Sequence, residues 1–288
     1  MSPPDTVAWR AVLRDSAARL GDAREARWIA EVVSGWTSVE LLSRDDEPIT
    51  VGQMARVDAM VQRRLAGEPL QYVLGSWGFR GLDLAVDRRV LIPRPETEAL
   101  VDAALVELDS RGAARREVRV LDLGTGSGAI ALAIASERVR ARVWATDASA
   151  DALAAAAANL AGLGRSGSRV TLLAGSWYDA LPVELAGTFD LIVSNPPYVA
   201  ATDALPPEVE EWEPAMALRS GRDGLDDLRR IVTGAPVWLA PGGSLVVEHG
   251  DGQGGAVEAL ATLAGLVGPR AVTDLAGRRR GLMARRRA

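Results

Sequence analysis

The sequence predicts an α/β fold in which a small helical bundle precedes a doubly wound, Rossmann-like sheet of seven strands. Three observations predict it. From residue 118 onward, short apolar β-branched runs alternate with helix-patterned runs, as successive βαβ units require. Before residue 67, apolar residues recur at helical spacing with no strand signal. Between the two lies a glycine-punctuated stretch of alternating pattern that reads as a hairpin. The expected domains are a helical bundle over 1–74, a β-ribbon linker over 75–95 and the sheet domain over 96–288.

In the bundle, one helical run carries Trp9, Val12, Leu13 and Leu20, and a second carries Trp28, Ile29, Val32 and Val33. The segments SVEL (38–41) and TVGQMARVDAMVQRRLAG (50–67) follow, the latter with Thr50 as N-cap and Gly67 as its stop. After Pro69 the pattern changes: Leu82, Leu84 and Val86 alternate with Asp83, Ala85 and Asp87, as a ribbon strand requires. A helix is expected from Pro95 to about Leu108. The sheet strands are then VRVLDL (118–123), RVWATD (142–147), RVTLLA (169–174), FDLIVS (189–194) and SLVVEH (244–249), with two weaker strands at 271–276 and 281–286. Helices are expected at 129–137, 151–160 and 256–266.

Composition limits the chemistry. With 48% hydrophobic and 25% charged residues over 288 positions, the chain is globular with ample core. A net charge of −5 argues against a dedicated duplex-DNA binder. No Cys is present, which removes disulfides, thiolate nucleophiles and cysteine metal sites, and the single His249 removes multi-histidine cages. The N-terminus lacks a secretory signal's apolar core, no apolar run is long enough to span a bilayer, and nothing demands more than a monomer. The expected setting is the cytoplasm.

Three strand ends carry chemistry. The bend DLGTGSG places Gly124, Gly126 and Gly128 between a strand and a helix, where glycine lets the backbone approach a ligand and the helix offers free N–H groups. Asp147 ends the next strand, roughly 20 residues on, where such folds grip ribose hydroxyls. Trp177 follows the third strand and is either a core aromatic or a neighbour of an adenine. The fourth strand stops on Asn195-Pro196-Pro197-Tyr198. Proline fixes its own φ, lacks an N–H, and pushes the preceding residue into extended backbone. The Asn195 side-chain oxygen and the Pro196 carbonyl are thereby left as neighbouring acceptors, which match the two donors of a planar –NH2 group. Tyr198 is expected over the flat face of the held group. An amino or amide nitrogen held beside a nucleoside site calls for an electrophilic carbon, and the sulfonium methyl of S-adenosyl-L-methionine supplies one.

The motifs DLGTGSGAIA, SNPPYV and LIPRPETEALVD together resemble those of the protein-(glutamine-N5) methyltransferases that modify peptide chain release factors, the HemK/PrmC family. GEPLQYVLGSWGF, EPAMALRSGRDGLDDLRRIV and APGGSLVVEHG extend the likeness over nearly everything after Gly67. The Asn-Pro-Pro-Tyr motif alone is shared with adenine-N6 DNA methyltransferases, and PRPETE narrows the assignment. The resemblance implies a class I methyltransferase sheet. It also implies a cofactor loop of Gly124, Thr125, Gly126, Ser127 and Gly128, a ribose contact at Asp147 and an adenine neighbour in Trp177. Asn195 would contact both cofactor and substrate amide, with Pro196, Pro197 and Tyr198 completing a glutamine pocket. The implied partner is a class-I release factor bearing a Gly-Gly-Gln loop, docked in part by the helical domain, with no nucleic acid bound directly.

Arg94, Glu96 and Thr97 match PRPET and are expected beside the site, with a structural ion pair as the equal alternative for Arg94. His249 is expected to be structural. The tail AGRRRGLMARRRA reads as a last strand, with contact to acidic partners as the alternative. Three competing readings remain: adenine-N6 DNA methylation, for which no target-recognition insert is evident; a nicotinamide-dependent dehydrogenase, which leaves the Asn195–Tyr198 stretch without a purpose; and a non-catalytic binding module.

Overall fold

The computed structural model of the chain describes residues 7–288, so residues 1–6 of the expected bundle lie outside the described ones. The chain forms two units: one runs to Ser76 and takes back Pro207–Trp212, and the other comprises Trp77–Pro206 and Glu213–Ala288.

The first unit is helical: α1 (Trp9–Leu20), α2 (Ala23–Ser34), α3 (Ser38–Ser43), α4 (Val51–Leu65) and α5 (Leu70–Leu74). Thr37 with Glu40 and Thr50 with Gln53 form reciprocal capping boxes that satisfy the free N–H groups opening α3 and α4. Trp9, Ile29, Val33, Val57 and Val61 form the core. Past the change of pattern at Pro69, Leu70–Leu74 is a short helix with Leu70, Tyr72 and Val73 buried, ended by Gly75 at φ +84.

From Trp77 on, the second unit holds the hairpin of β1 (Ser76–Phe79) and β2 (Leu82–Ala85). This ribbon is not a free linker. Phe79 and Leu84 are buried in the unit's core, Arg80 pairs with Glu137 and Asp102, and Asn159 holds both backbone polar groups of Ala85. Next come α6 (Pro95–Ser110), β3 (Val118–Leu123), α7 (Ala129–Glu137), β4 (Ala141–Asp147), α8 (Ala150–Gly162), β5 (Val170–Ala174) and β6 (Phe189–Ser194). After α9 (Pro207–Trp212), which belongs to the helical unit, follow α10 (Ala215–Leu218), α11 (Asp226–Trp238), β7 (Leu239–Glu248), α12 (Gly254–Leu263), β8 (Val267–Thr273) and β9 (Arg279–Arg285).

The seven strands lie in the order β5-β4-β3-β6-β7-β9-β8, parallel except for β9, which runs antiparallel to both of its neighbours. β3 and β6 are buried almost throughout, as strands covered on both faces must be. One core cluster packs α6 and α7 against the sheet, and a second packs α11 and α12. α7 is buried along Ala129–Ala135, which its all-round apolar sequence requires.

Two departures from the sequence pattern have local causes. The strand expected at 271–276 lies at Val267–Thr273 instead, because the Asp274 carboxylate accepts from the N–H groups of Ala276 and Arg278 and closes a turn there. α11 is an additional helix whose Leu228, Ile231, Val232 and Ala235 form one buried stripe; Pro236 is tolerated two residues before its end. Two of the three arginines of β9 are tied within the unit, Arg280 to Asp274 and Glu96 and Arg285 to Glu107, in keeping with the tail as a last strand. Among the described residues no helix is long and apolar enough to cross a membrane.

Candidate active site

In a parallel sheet the carboxyl ends of the strands share one rim, and ligands bind where the strand order changes direction. Here that point lies between β3 and β6, and the register sets their ends level: Leu123 pairs with Ser194, and the Ser194 hydroxyl donates to the Leu123 carbonyl at 2.7 Å. The next residues are Gly124 on one strand and Asn195 on the other. The glycine bend and the Asn-Pro-Pro hook are therefore neighbours by construction.

The bend is stitched to β4, with the N–H groups of Gly124 and Thr125 both donating to the Thr146 carbonyl at 2.9 Å. Gly124, Gly126 and Gly128 take φ of +71, +57 and +86, conformations that a side chain disfavours. Asp147 accepts from Gly126 N–H at 2.8 Å and Ser149 N–H at 2.9 Å. The cap of α8 is Ser149 and not Asp147, which leaves Asp147 on the cavity wall. Trp177 follows β5 with φ +50, uncommon outside glycine, and its indole N–H donates to Asp227 at 3.2 Å. Its ring lies against Gly124, where an added Cβ would sit 3.0 Å from it.

These groups surround a cavity of about 310 Å³ whose wall includes Gly124, Gly126, Asp147, Trp177, Asn195 and Pro197. Thr125 and Ser127 of the bend line it too, while Gly128, Pro196 and Tyr198 are not on that wall. Gly128 instead opens α7, closely packed on Leu132. Tyr198, expected over a bound amide, packs against the second core cluster with its hydroxyl 3.4 Å from Glu248. Burial and that carboxylate hold the hydroxyl above the ordinary tyrosine range, so it remains a donor.

Asn195 is fixed by a contact that the sequence does not announce. Its Nδ2 donates to Thr97 Oγ1 at 3.0 Å, and Thr97 Oγ1 donates to Glu248 Oε2 at 2.8 Å. Asn195 Oδ1 and the Pro196 carbonyl take no hydrogen bond among the described residues. Of the other PRPET residues, Arg94 pairs with buried Glu213 and Glu96 pairs with Arg280. His249 is buried, its Nδ1 2.9 Å from the Gly250 carbonyl, and does not line the cavity.

The sequence reading also passes over Asp122. It is fully buried on β3, its Oδ2 accepting from the Thr125 hydroxyl and Ala131 N–H, while Oδ1 has no partner. Burial, reinforced by nearby Asp147, pushes it up to about 7. A carboxylate inside an apolar strand was the available signal. Because the folded chain keeps this proton while the unfolded chain has lost it between about pH 4 and about pH 7, stability falls as pH rises through that window. Asp122→Asn, which cannot ionise, is expected to flatten the decline of the melting midpoint between about pH 4 and about pH 7. Parallel melting curves for the two proteins would contradict this.

The residues present suit S-adenosyl-L-methionine: a glycine cradle that a Cβ would fill, a carboxylate for ribose hydroxyls and an indole for an adenine face. Comparison with known proteins agrees. Residues 9–75 match the PrmC N-terminal domain and residues 100–210 match the Methyltransferase small domain. A release factor glutamine methyltransferase of Bordetella pertussis is 47% identical over 268 residues, spanning 92% of this chain and 96% of the relative. One from Xylella fastidiosa (strain 9a5c) is 48% identical over 244 residues, 83% of this chain and 84% of the relative. In fold, a methyltransferase from Pyrococcus furiosus superposes with a TM-score of 0.52 at 18% identity, covering 83% of this chain and all of that one (100%).

Proposed function

The chain belongs to the release factor glutamine methyltransferase family, and we propose that it methylates the side-chain amide nitrogen (N5) of the glutamine in the Gly-Gly-Gln motif of class-I peptide chain release factors. The observation that carries this reading is the free acceptor Asn195 Oδ1, on the cavity wall one register step past the paired Leu123 and Ser194, with the unbonded Pro196 carbonyl next to it in the chain.

S-adenosyl-L-methionine, the methyl donor, supplies an electrophilic carbon on a sulfonium. The bend from Gly124 to Gly128, with Asp147 and Trp177, holds the donor. Asn195 and Pro196 accept the two N–H bonds of the glutamine amide. An amide nitrogen is a poor nucleophile because its lone pair is delocalised into the carbonyl. Hydrogen bonds accepted from both its N–H groups return electron density to it, and the stiff Pro196-Pro197 segment holds the geometry. Positioning of this kind can supply most of the rate, and the N–H proton displaced by the new N–CH3 bond would leave to water along one of these hydrogen bonds.

The helical unit acts in docking the release factor, the enzyme works as a monomer in the cytoplasm, and nucleic acid is not a substrate. The test is mass spectrometry of the Gly-Gly-Gln peptide after a release factor has been incubated with enzyme and cofactor. One methyl group is expected on the glutamine and none on a Gln→Ala substrate. Methyl transfer to duplex DNA with none to the release factor would overturn the assignment.

A further inference from the structure

We propose that Glu248 is a positioning residue that acts through Thr97 to set which way the Asn195 amide faces. The proposal rests on the reading of Asn195 as the amide-holding residue. Glu248 is the last residue of β7 and is 2% exposed.

Its surroundings set it apart from four of the other five buried acids among the described residues; only Asp122 shares its lack of a cation. Glu68 is held by Arg63, Glu107 by Arg285 and Arg270, Asp190 by Arg111 and Arg116, and Glu213 by Arg94. No guanidinium lies within ion-pair distance of Glu248 among the described residues; it meets two hydroxyls, those of Thr97 and Tyr198. A buried carboxylate without a cation is costly to keep, and a fold that needed only packing there would have an apolar residue.

The proton count shows what it does. A threonine hydroxyl has one hydrogen to give. Facing an ionised Glu248, Thr97 gives that hydrogen to Oε2, so its oxygen can only accept, and the partner it accepts from is Asn195 Nδ2. Oδ1 must then face away from Thr97, free for a ligand N–H. With Glu248 protonated and donating to Thr97, the hydroxyl hydrogen turns toward Asn195. The amide is then best satisfied the other way round, presenting its own –NH2 to the substrate's –NH2, and two donors repel.

The charges around Glu248 put this switch at neutral pH. Burial first, then Glu96 on α6, raise it, while the Thr97 and Tyr198 hydroxyls and Arg280 on β9 lower it, leaving it pushed up to about 7. His249, next along the chain, is directed to the Gly250 carbonyl.

Two measurements test the proposal. In 15N-labelled protein without substrate or cofactor, the Asn195 side-chain NH2 resonances, assigned by their absence from Asn195→Ala, are followed from about pH 5.5 to about pH 8.5. They are expected to titrate near neutrality in the wild type and to stay flat in Glu248→Gln; flat wild-type resonances overturn the proposal. In turnover, Thr97→Val is expected to lower kcat on the order of tenfold with the cofactor KM little changed, the loss of one oriented hydrogen bond, and Thr97→Ser to restore most of it. Wild-type kcat in a folded Thr97→Val overturns it as well. Should Thr97→Val fail to fold, the resonance titration decides alone. That measurement also needs no methyl acceptor, so its outcome is independent of whether the release factor is the substrate.

Discussion

Asn195→Ala is expected to lower methyl transfer on the order of 10²–10³-fold, the scale seen when one preorganised hydrogen-bonding group is removed from a reacting centre. The substitution deletes the Oδ1 acceptor and leaves Thr97 with no donor to accept from, while Glu248 and Thr97 keep their own bond. Asn195 lies past the end of β6, outside the buried strand, so the melting midpoint should move little. Asn195→Asp keeps the shape and an acceptor, yet it is expected to be impaired too. Thr97 has one hydrogen and would face two carboxylates, and the second carboxylate then lacks a donor. Single-turnover transfer of labelled methyl to a release factor, with thermal melts alongside, measures both variants. Near-wild-type turnover in a folded Asn195→Ala would end the mechanism.

The second large effect is on the cofactor side. Gly124→Ala is expected to weaken S-adenosyl-L-methionine binding by about tenfold or more, measured by calorimetry, from two additive causes. At φ +71 a residue with a Cβ is strained, by roughly 1–2 kcal/mol. The new methyl would also sit 3.0 Å from the Trp177 ring. That ring cannot swing aside freely, because its N–H is held by Asp227, whose carboxylate also accepts from the Ser220 hydroxyl. Bend and ring must therefore part, and the adenine-side wall is lost. Unchanged affinity would show that the wall plays no part in binding.

Much of the site was legible because it is local. A glycine bend, a carboxylate on the last residue of a strand and a double-proline stop each announce themselves within a few positions, and the strand ends that carry them share a rim by topology. Thr97 was legible as part of a motif but not in its role. Its partners are Asn195, 98 positions away, and Glu248, 151 positions away, and no pattern near Thr97 points to either. Asp227, which holds Trp177 from 50 residues on, sits in a helix that the sequence reading did not mark.

The sequence by itself determined the succession of the sheet strands, the bend, the hook and the cofactor class, because backbone preference and periodicity act over one or two turns of chain. Tertiary structure alone decided that the ribbon packs on the sheet domain, that Pro207–Trp212 returns to the helical unit, and that one buried carboxylate without a cation faces Thr97. Those outcomes depend on which side chains come within 3 Å of each other across a hundred residues of chain. Such contacts are created by strand register and packing, and no stretch of sequence contains them.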